Sequence, residues 1–154
     1  DGMSWRVGQM LGLENMRVMQ ATTAEGAGFG VVGELKEEVP SREFMRKVME
    51  CFAVKALRHG DIVREQVRRV AVCTGSGGSL IDQARASGAD IYLTADLRYN
   101  DFMRHENAII LADMGHFESE YCAIQILFDI LSKKIPIFAV RKSVCSRNPV
   151  NYMV

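Results

Sequence analysis

The chain has 154 residues, about one domain's worth, with 48% hydrophobic and 25% charged residues, an ordinary globular composition. Lys plus Arg is 19 and Asp plus Glu is 19, which argues against a general nucleic-acid binder or a polybasic membrane binder, since both need an excess of basic residues. No apolar run reaches the roughly 18 residues of a membrane-crossing helix, and no charged-then-apolar leader opens the chain.

The sequence begins at Asp1 rather than Met, as expected of a piece of a longer protein. Four methionines fall within the first 20 residues, in short mixed segments around Gly8 and Gly12. They read as adaptable filler near a chain end, or as a partner-facing surface. Gly26, Gly28 and Gly30 suggest a flexible turn before Phe29–Gly33, without the strand-then-helix context that a phosphate loop needs. Ser41 is an expected N-cap for a helix carrying Phe44, Val48, Met49 and Phe52 on one face. A short strand is expected over 54–58, and residues 60–66 read as a linker.

From Arg68 the pattern becomes regular. Val70–Cys73 is an apolar strand followed by the glycine-rich stretch 74–79 and a short helix through Leu80, Ile81 and Ala84. Strands are then expected at 90–94 and 108–112, separated by a helix over 97–104. A helix of some four turns should follow Gly115, burying Ala123, Ile124, Leu127, Phe128 and Leu131, and a last strand should run over 135–140. Alternating strands and helices with short connections imply an α/β fold, a largely parallel sheet flanked by helices. Ligands should gather at the carboxyl ends of its strands.

Three loops fall at those ends. The first, Thr74 to Ser79, could present backbone N–H groups to an anion or be a tight turn. It departs from G-x-G-x-x-G, with Leu80 at the last glycine position, and from the P-loop pattern. In the second, Asp96 is read first as a helix cap, with orientation of a histidine or general-base work as the alternatives. In the third, His116 and Glu120 stand four residues apart, so one helix face presents both. They could share a divalent cation or form a surface ion pair worth a few tenths of a kcal/mol. His59 and His105 fall in polar segments and are expected to be exposed and incidental. Cys51, Cys73, Cys122 and Cys145 form no C-x-x-C pair, which argues against a zinc ribbon. They read as reduced, buried thiols of a cytoplasmic protein.

The stretches 69–81, 88–102 and 112–120, closed by Asn148-Pro-Val-Asn-Tyr, resemble the C-terminal part of the Nif-three-like dinuclear metal-centre family, often labelled GTP cyclohydrolase I type 2 homologue. Residues 28–38 resemble the segment that re-enters its C-terminal lobe. The resemblance implies that residues 28–154 are that lobe and residues 1–27 an N-terminal segment, the tail of an inserted domain in longer members. It further implies two divalent metal ions (zinc, iron or manganese) in the complete protein, with His116 and Glu120 as this half's ligands. Ser76, Thr94, Asp96 and Asn100 become pocket candidates, and no catalytic residue is assigned. Family members carry Thr-Gly-Asp with a histidine four residues on; here Ala95 and Asn100 stand at the glycine and histidine positions. Asn does not take up a proton near neutral pH.

What the resemblance implies is a metal-dependent hydrolase of unspecified small-molecule substrate, assembled as a homo-oligomer, a hexamer in this family, with the isolated chain inactive and its metal site incomplete. The alternative is a non-enzymatic metal-binding or scaffold protein. A nucleotide-binding module using Gly75–Gly78 is a third reading, weakened by the incomplete glycine pattern.

Overall fold

The computed structural model describes residues 2–24 and 26–153; the expectation drawn from Asp1 lies outside them. Helix α1 (Met3–Leu11) opens the chain, followed by β1 (Glu14–Ala21), β2 (Gly28–Pro40), α2 (Ser41–Phe52) and β3 (Arg58–His59). Then come β4 (Gln66–Ser76), a single 3-10 turn (Gly78–Leu80), α3 (Ile81–Ala86), β5 (Ile91–Ala95), α4 (Tyr99–Arg104) and β6 (Ile110–Asp113). Helices α5 (His116–Glu120) and α6 (Cys122–Lys134) follow. The fold is a mixed α/β sheet of six strands in the order β1-β2-β4-β5-β6-β3.

The α/β class agrees with the sequence reading, but the sheet is mostly antiparallel, not largely parallel. Among the described residues only β4–β5 and β5–β6 pair in parallel. The pairs β1–β2, β2–β4 and β3–β6 run antiparallel. Two misread segments account for the difference. Residues 28–33 belong to a 13-residue strand whose charged stretch Glu34–Glu38 masks the apolar pattern. Residues 135–140 form no strand, because β3 already occupies the edge beside β6, with Arg58 opposite Asp113 and His59 opposite Ala112.

Side-chain alternation along the central strands builds two cores. Val70, Val72, Ile91, Leu93, Ile110 and Ala112 face α1 and α2, meeting Val7, Leu11, Phe44, Met45 and Val48. Ala71, Cys73, Tyr92 and Leu111 face the other way, onto Ile81 and Ala84 of α3 and Leu97. Residues 2–24 thus share the sheet and the first core. Helix α2 buries Phe44 and Val48 as expected, and Met45 rather than Met49. Ser41 does not cap it: Pro40 holds that place and the Ser41 hydroxyl donates to the Arg64 carbonyl.

Helix α6 corrects another expectation. It packs on α1 rather than on the sheet, so none of its residues is fully buried. Leu127 and Leu131 are exposed, while Ala123, Ile124 and Phe128 are only half-buried. His105 departs in the opposite sense, being buried at 7% exposure. All four cysteines are free, but only Cys73 is buried; Cys122 is half-buried and Cys51 and Cys145 are exposed. No described helix is long and apolar enough to cross a membrane.

Candidate metal centre

The carboxyl ends of β5 and β6 lie side by side because those strands are parallel. Asp96 leaves β5, Asp113 ends β6, and His116 opens α5 just after it. Asp96 adopts a left-handed backbone, φ 56°, and does not cap α4, whose N-cap is Arg98. Asp101 accepts a hydrogen bond from the Arg98 N–H at 2.8 Å there instead. The Asp96 carboxylate is thereby left to meet His116, with 2.6 Å between Asp96 Oδ2 and His116 Nδ1. On the opposite side of the ring, His116 Nε2 lies 3.3 Å from Glu120 Oε2, as the i, i+4 spacing leads one to expect.

Asp113 fastens the two loops. Only 5% exposed, it accepts hydrogen bonds from Leu97 N–H at 3.0 Å and Gly115 N–H at 3.1 Å. Arg58 donates to it at 3.3 Å and to the Leu97 carbonyl at 2.7 Å. Gly115 stands at φ 89°, ψ 142°, a backbone region essentially restricted to glycine. From the far side, the end of β4 braces α5: Gly75 N–H donates to Ser119 Oγ at 2.9 Å, and Ser119 Oγ donates to the His116 carbonyl at 2.9 Å. A Cβ on Gly75 would fall 2.4 Å from Glu120 Oε1, and Gly75 has φ 66°. Glycine there lets β4 close onto the carboxylate.

These residues open into a cleft of about 640 Å³. Its lining holds four carboxylates, Asp96, Asp113, Glu118 and Glu120, against one guanidinium, Arg58. The C-terminal residues Asn148, Val150 and Tyr152 line one wall, and Asn148 Nδ2 donates to Glu118 Oε1 at 2.8 Å.

Of the six candidates read from the sequence, Asp96, His116 and Glu120 come together. Thr94 is fully buried beneath them and donates to the Gly75 carbonyl at 3.2 Å. Ser76 and Asn100 are exposed and do not line the cleft. Asp113, Arg58, Glu118 and Asn148 were not assigned from the sequence. For Asp113 a signal was available, since it directly follows the apolar run of β6. Arg58 and Asn148 arrive from distant stretches whose neighbourhood the sequence does not disclose.

Asp96 raises the His116 pKa, first through its hydrogen bond and then through its charge, with Glu120 adding to both. Because the folded-state pKa is raised, this pairing stabilises the fold below the ordinary imidazole value, and the contribution is lost as pH rises through the raised value. In the metal-free chain, His116 should therefore titrate above the ordinary imidazole value in an NMR pH series. Asp96→Asn should bring it down toward the ordinary value; an unchanged midpoint would contradict the contact.

The ring has one nitrogen held and one facing a carboxylate. Asp96 on Nδ1 fixes the ring's orientation, leaving the Nε2 lone pair with Glu120 on one side of α5. An imidazole nitrogen and a carboxylate oxygen are donors suited to zinc, iron or manganese. Because Asp96 and Glu120 contact opposite edges of the ring, the three do not converge, and among the described residues no group of three or more His, Cys, Asp or Glu side chains is placed to hold a metal ion. The donor set fits a metal as a two-ligand part of a larger shell.

Comparison with known proteins gives a consistent relationship. The sequence profile described as Duf34/NIF3 (NGG1p interacting factor 3) matches residues 1–149. The chain is 37% identical over 100 residues to a GTP cyclohydrolase 1 type 2 homolog of Campylobacter jejuni, covering 64% of this chain and 39% of that protein. It is 28% identical over 138 residues to the homolog of Clostridium acetobutylicum, covering 88% and 50%. The chain thus spans half or less of these two relatives. The crystal structure of a Bacillus cereus protein related to NIF3 superposes with a TM-score of 0.89 at 18% identity, covering 99% of this chain and 70% of that one. At that identity the likeness speaks to the fold.

Proposed function

The chain belongs to the Duf34/NIF3 family, and from that premise we propose that it supplies one half of a dinuclear divalent-metal site in a metal-dependent hydrolase. The observation that carries the reading is the geometry at His116, with Asp96 on Nδ1 at 2.6 Å and Glu120 facing Nε2 at 3.3 Å. His116 Nε2 and Glu120 would hold metal, and Asp96 would orient the imidazole. The remaining ligands would come from the part of a full-length relative that this chain does not span. When bound, the metal pair would supply Lewis-acid activation of a water for hydrolysis.

The chain's own residues do the rest. Asp113 ties the Asp96 and His116 loops together, and Ser119 anchors the first turn of α5 to Gly75. Arg58, the one guanidinium of the described cleft lining, would be the group to meet an anionic part of a substrate. The cleft's carboxylates favour cations. Asn100, exposed where family members carry a histidine, removes one proton-transfer group. That supports the second reading, a metal-binding or scaffold protein. We place either form in the cytoplasm as a homo-oligomer, the hydrolase acting on a small molecule and the scaffold acting through its assembly.

Turnover separates the two readings. In a full-length family protein carrying this chain, metal-dependent hydrolysis that disappears in His116→Ala supports the hydrolase. Metal binding that disappears in the same variant without any turnover in the unsubstituted protein supports the scaffold. Metal content unchanged by His116→Ala would overturn the site itself.

A further inference from the structure

A separate cavity, of about 350 Å³, shares no lining residue with the metal cleft. Strand β3 pairs with β6 only through Arg58 and His59, and Gly60 N–H then donates to the Leu111 carbonyl at 3.0 Å. The cavity opens beside this last rung, between it and α4 with the turn that follows. Ile109 and Leu111, both buried, supply apolar wall. Tyr99 and Met103, four residues apart on α4, are 74% and 57% exposed, which puts them at the mouth.

Two features of the lining have no role in the fold. His105 is 7% exposed and borders the cavity. Its Nδ1 is buried without a hydrogen-bond partner, and Asp82 Oδ1, at 3.9 Å, is too far to be one. Among the described residues, Gln83 Oε1 is the only other buried side-chain atom left in that condition. A buried polar group without a partner costs stability, so its retention calls for a reason outside the packing. The second feature is charge. Asp61 and Glu106 stand in the lining, both exposed and therefore at its rim, and no Lys or Arg accompanies them among the described residues.

We infer that this cavity binds a small amine whose apolar body ends in a hydroxyl. The hydroxyl meets His105, the body lies on Met103, Ile109 and Leu111, and the ammonium sits at Asp61 and Glu106. A neutral imidazole has one donor and one acceptor nitrogen; a hydroxyl both donates and accepts, so it suits either tautomer. The volume stands at the small end of the roughly 300–1,000 Å³ found for small-molecule sites, enough for a one-ring ligand. The rim carboxylates are solvated, so they set the ligand's direction more than its affinity.

The test titrates tyramine into the 154-residue chain and follows the Met103 methyl and the His105 ring by NMR. Saturable movement of both is expected. Phenethylamine, which lacks the hydroxyl, should bind about tenfold more weakly, the loss of one hydrogen bond to a buried group. Tyrosol, with a hydroxyl in place of the ammonium, should bind about fivefold more weakly, the loss of exposed ion pairing. The double substitution Asp61→Asn, Glu106→Gln should weaken tyramine by about fivefold and leave tyrosol within about twofold. Both positions are exposed, so the doubly substituted chain stays folded. The site is overturned by the absence of saturable movement, by phenethylamine binding as tightly as tyramine, or by tyramine affinity unchanged in the doubly substituted chain. Movement centred on His116 instead of His105 overturns it as well. None of these results bears on the metal site, because the two linings have no residue in common.

Discussion

Asp113→Ala is expected to lower stability by about 3 kcal/mol or more, and to abolish metal binding at His116. The carboxylate receives two backbone donors, Leu97 N–H at 3.0 Å and Gly115 N–H at 3.1 Å. A hydrogen bond to a charged group contributes about 1.5–3 kcal/mol, and stranding a buried donor costs about as much. Arg58 adds less, because its side chain is 56% exposed and remains solvated once its partner is gone. The functional loss has the same origin. Leu97 follows Asp96 and Gly115 precedes His116, so one carboxylate sets the spacing of the pair. Urea unfolding measures the first effect and metal titration the second. Asp113→Asn, which keeps the shape but has only one acceptor oxygen for two donors, should fall between the two. A loss below about 1 kcal/mol for Asp113→Ala would mean that the loops are held by something else.

Gly77→Ala is expected to be nearly as damaging for a different reason. The glycine's backbone is ordinary, φ −111°, so the effect is steric. An added Cβ would lie 2.2 Å from Thr94 Oγ1, 2.5 Å from the Tyr92 hydroxyl and 3.0 Å from Cys73 Cβ. Thr94 and Tyr92 are both fully buried and cannot swing into solvent. Overpacking of this kind costs about 1–3 kcal/mol. Displacing the Tyr92 hydroxyl from the Gly77 carbonyl, 2.9 Å away, strands a buried donor at a further cost of about 1–3 kcal/mol. The adjacent Gly78→Ala serves as control, since its Cβ would meet nothing nearer than Asp101 Oδ2 at 3.4 Å. It should change stability by no more than about 0.5 kcal/mol. Equal effects at the two positions would refute the packing argument.

Local pattern and spacing carried the central part of this fold. The apolar runs of β4, β5 and β6, with helices between them, disclose the parallel core and the end of the sheet where a site would lie. The i, i+4 spacing of His116 and Glu120 anticipates their 3.3 Å approach. What escaped was whatever depends on contacts between distant stretches. Charged Glu34–Glu38 looks unlike a strand until β4 pairs at both ends of it, Glu34 opposite Arg69 and Val39 opposite Val67. The apolar stripe of α6 predicts burial, yet the helix rests on α1 and leaves Leu127 57% exposed. Capping preference at Asp96 lost to a partner twenty residues away, whose approach requires a left-handed backbone that no local rule assigns to an aspartate beginning a loop. Asp113 follows an apolar run, which marks a strand end but not a role, because its importance comes from the two N–H groups that tertiary folding brings to it.

The central claim is that His116 Nε2 and Glu120 form one metal-holding pair with Asp96 behind the ring. The chain has three histidines, so its imidazole NMR signals are few enough to follow individually. The most direct measurement is a titration of the labelled 154-residue chain with Mn²⁺, whose unpaired electrons broaden signals close to it even at the low occupancy of a two-ligand site, followed by Zn²⁺ as the diamagnetic counterpart. The account predicts broadening strongest at His116 and Glu120, weaker at His59 and His105, and abolished by His116→Ala and by Glu120→Gln. Broadening centred on another part of the chain, or unchanged by both substitutions, would contradict it.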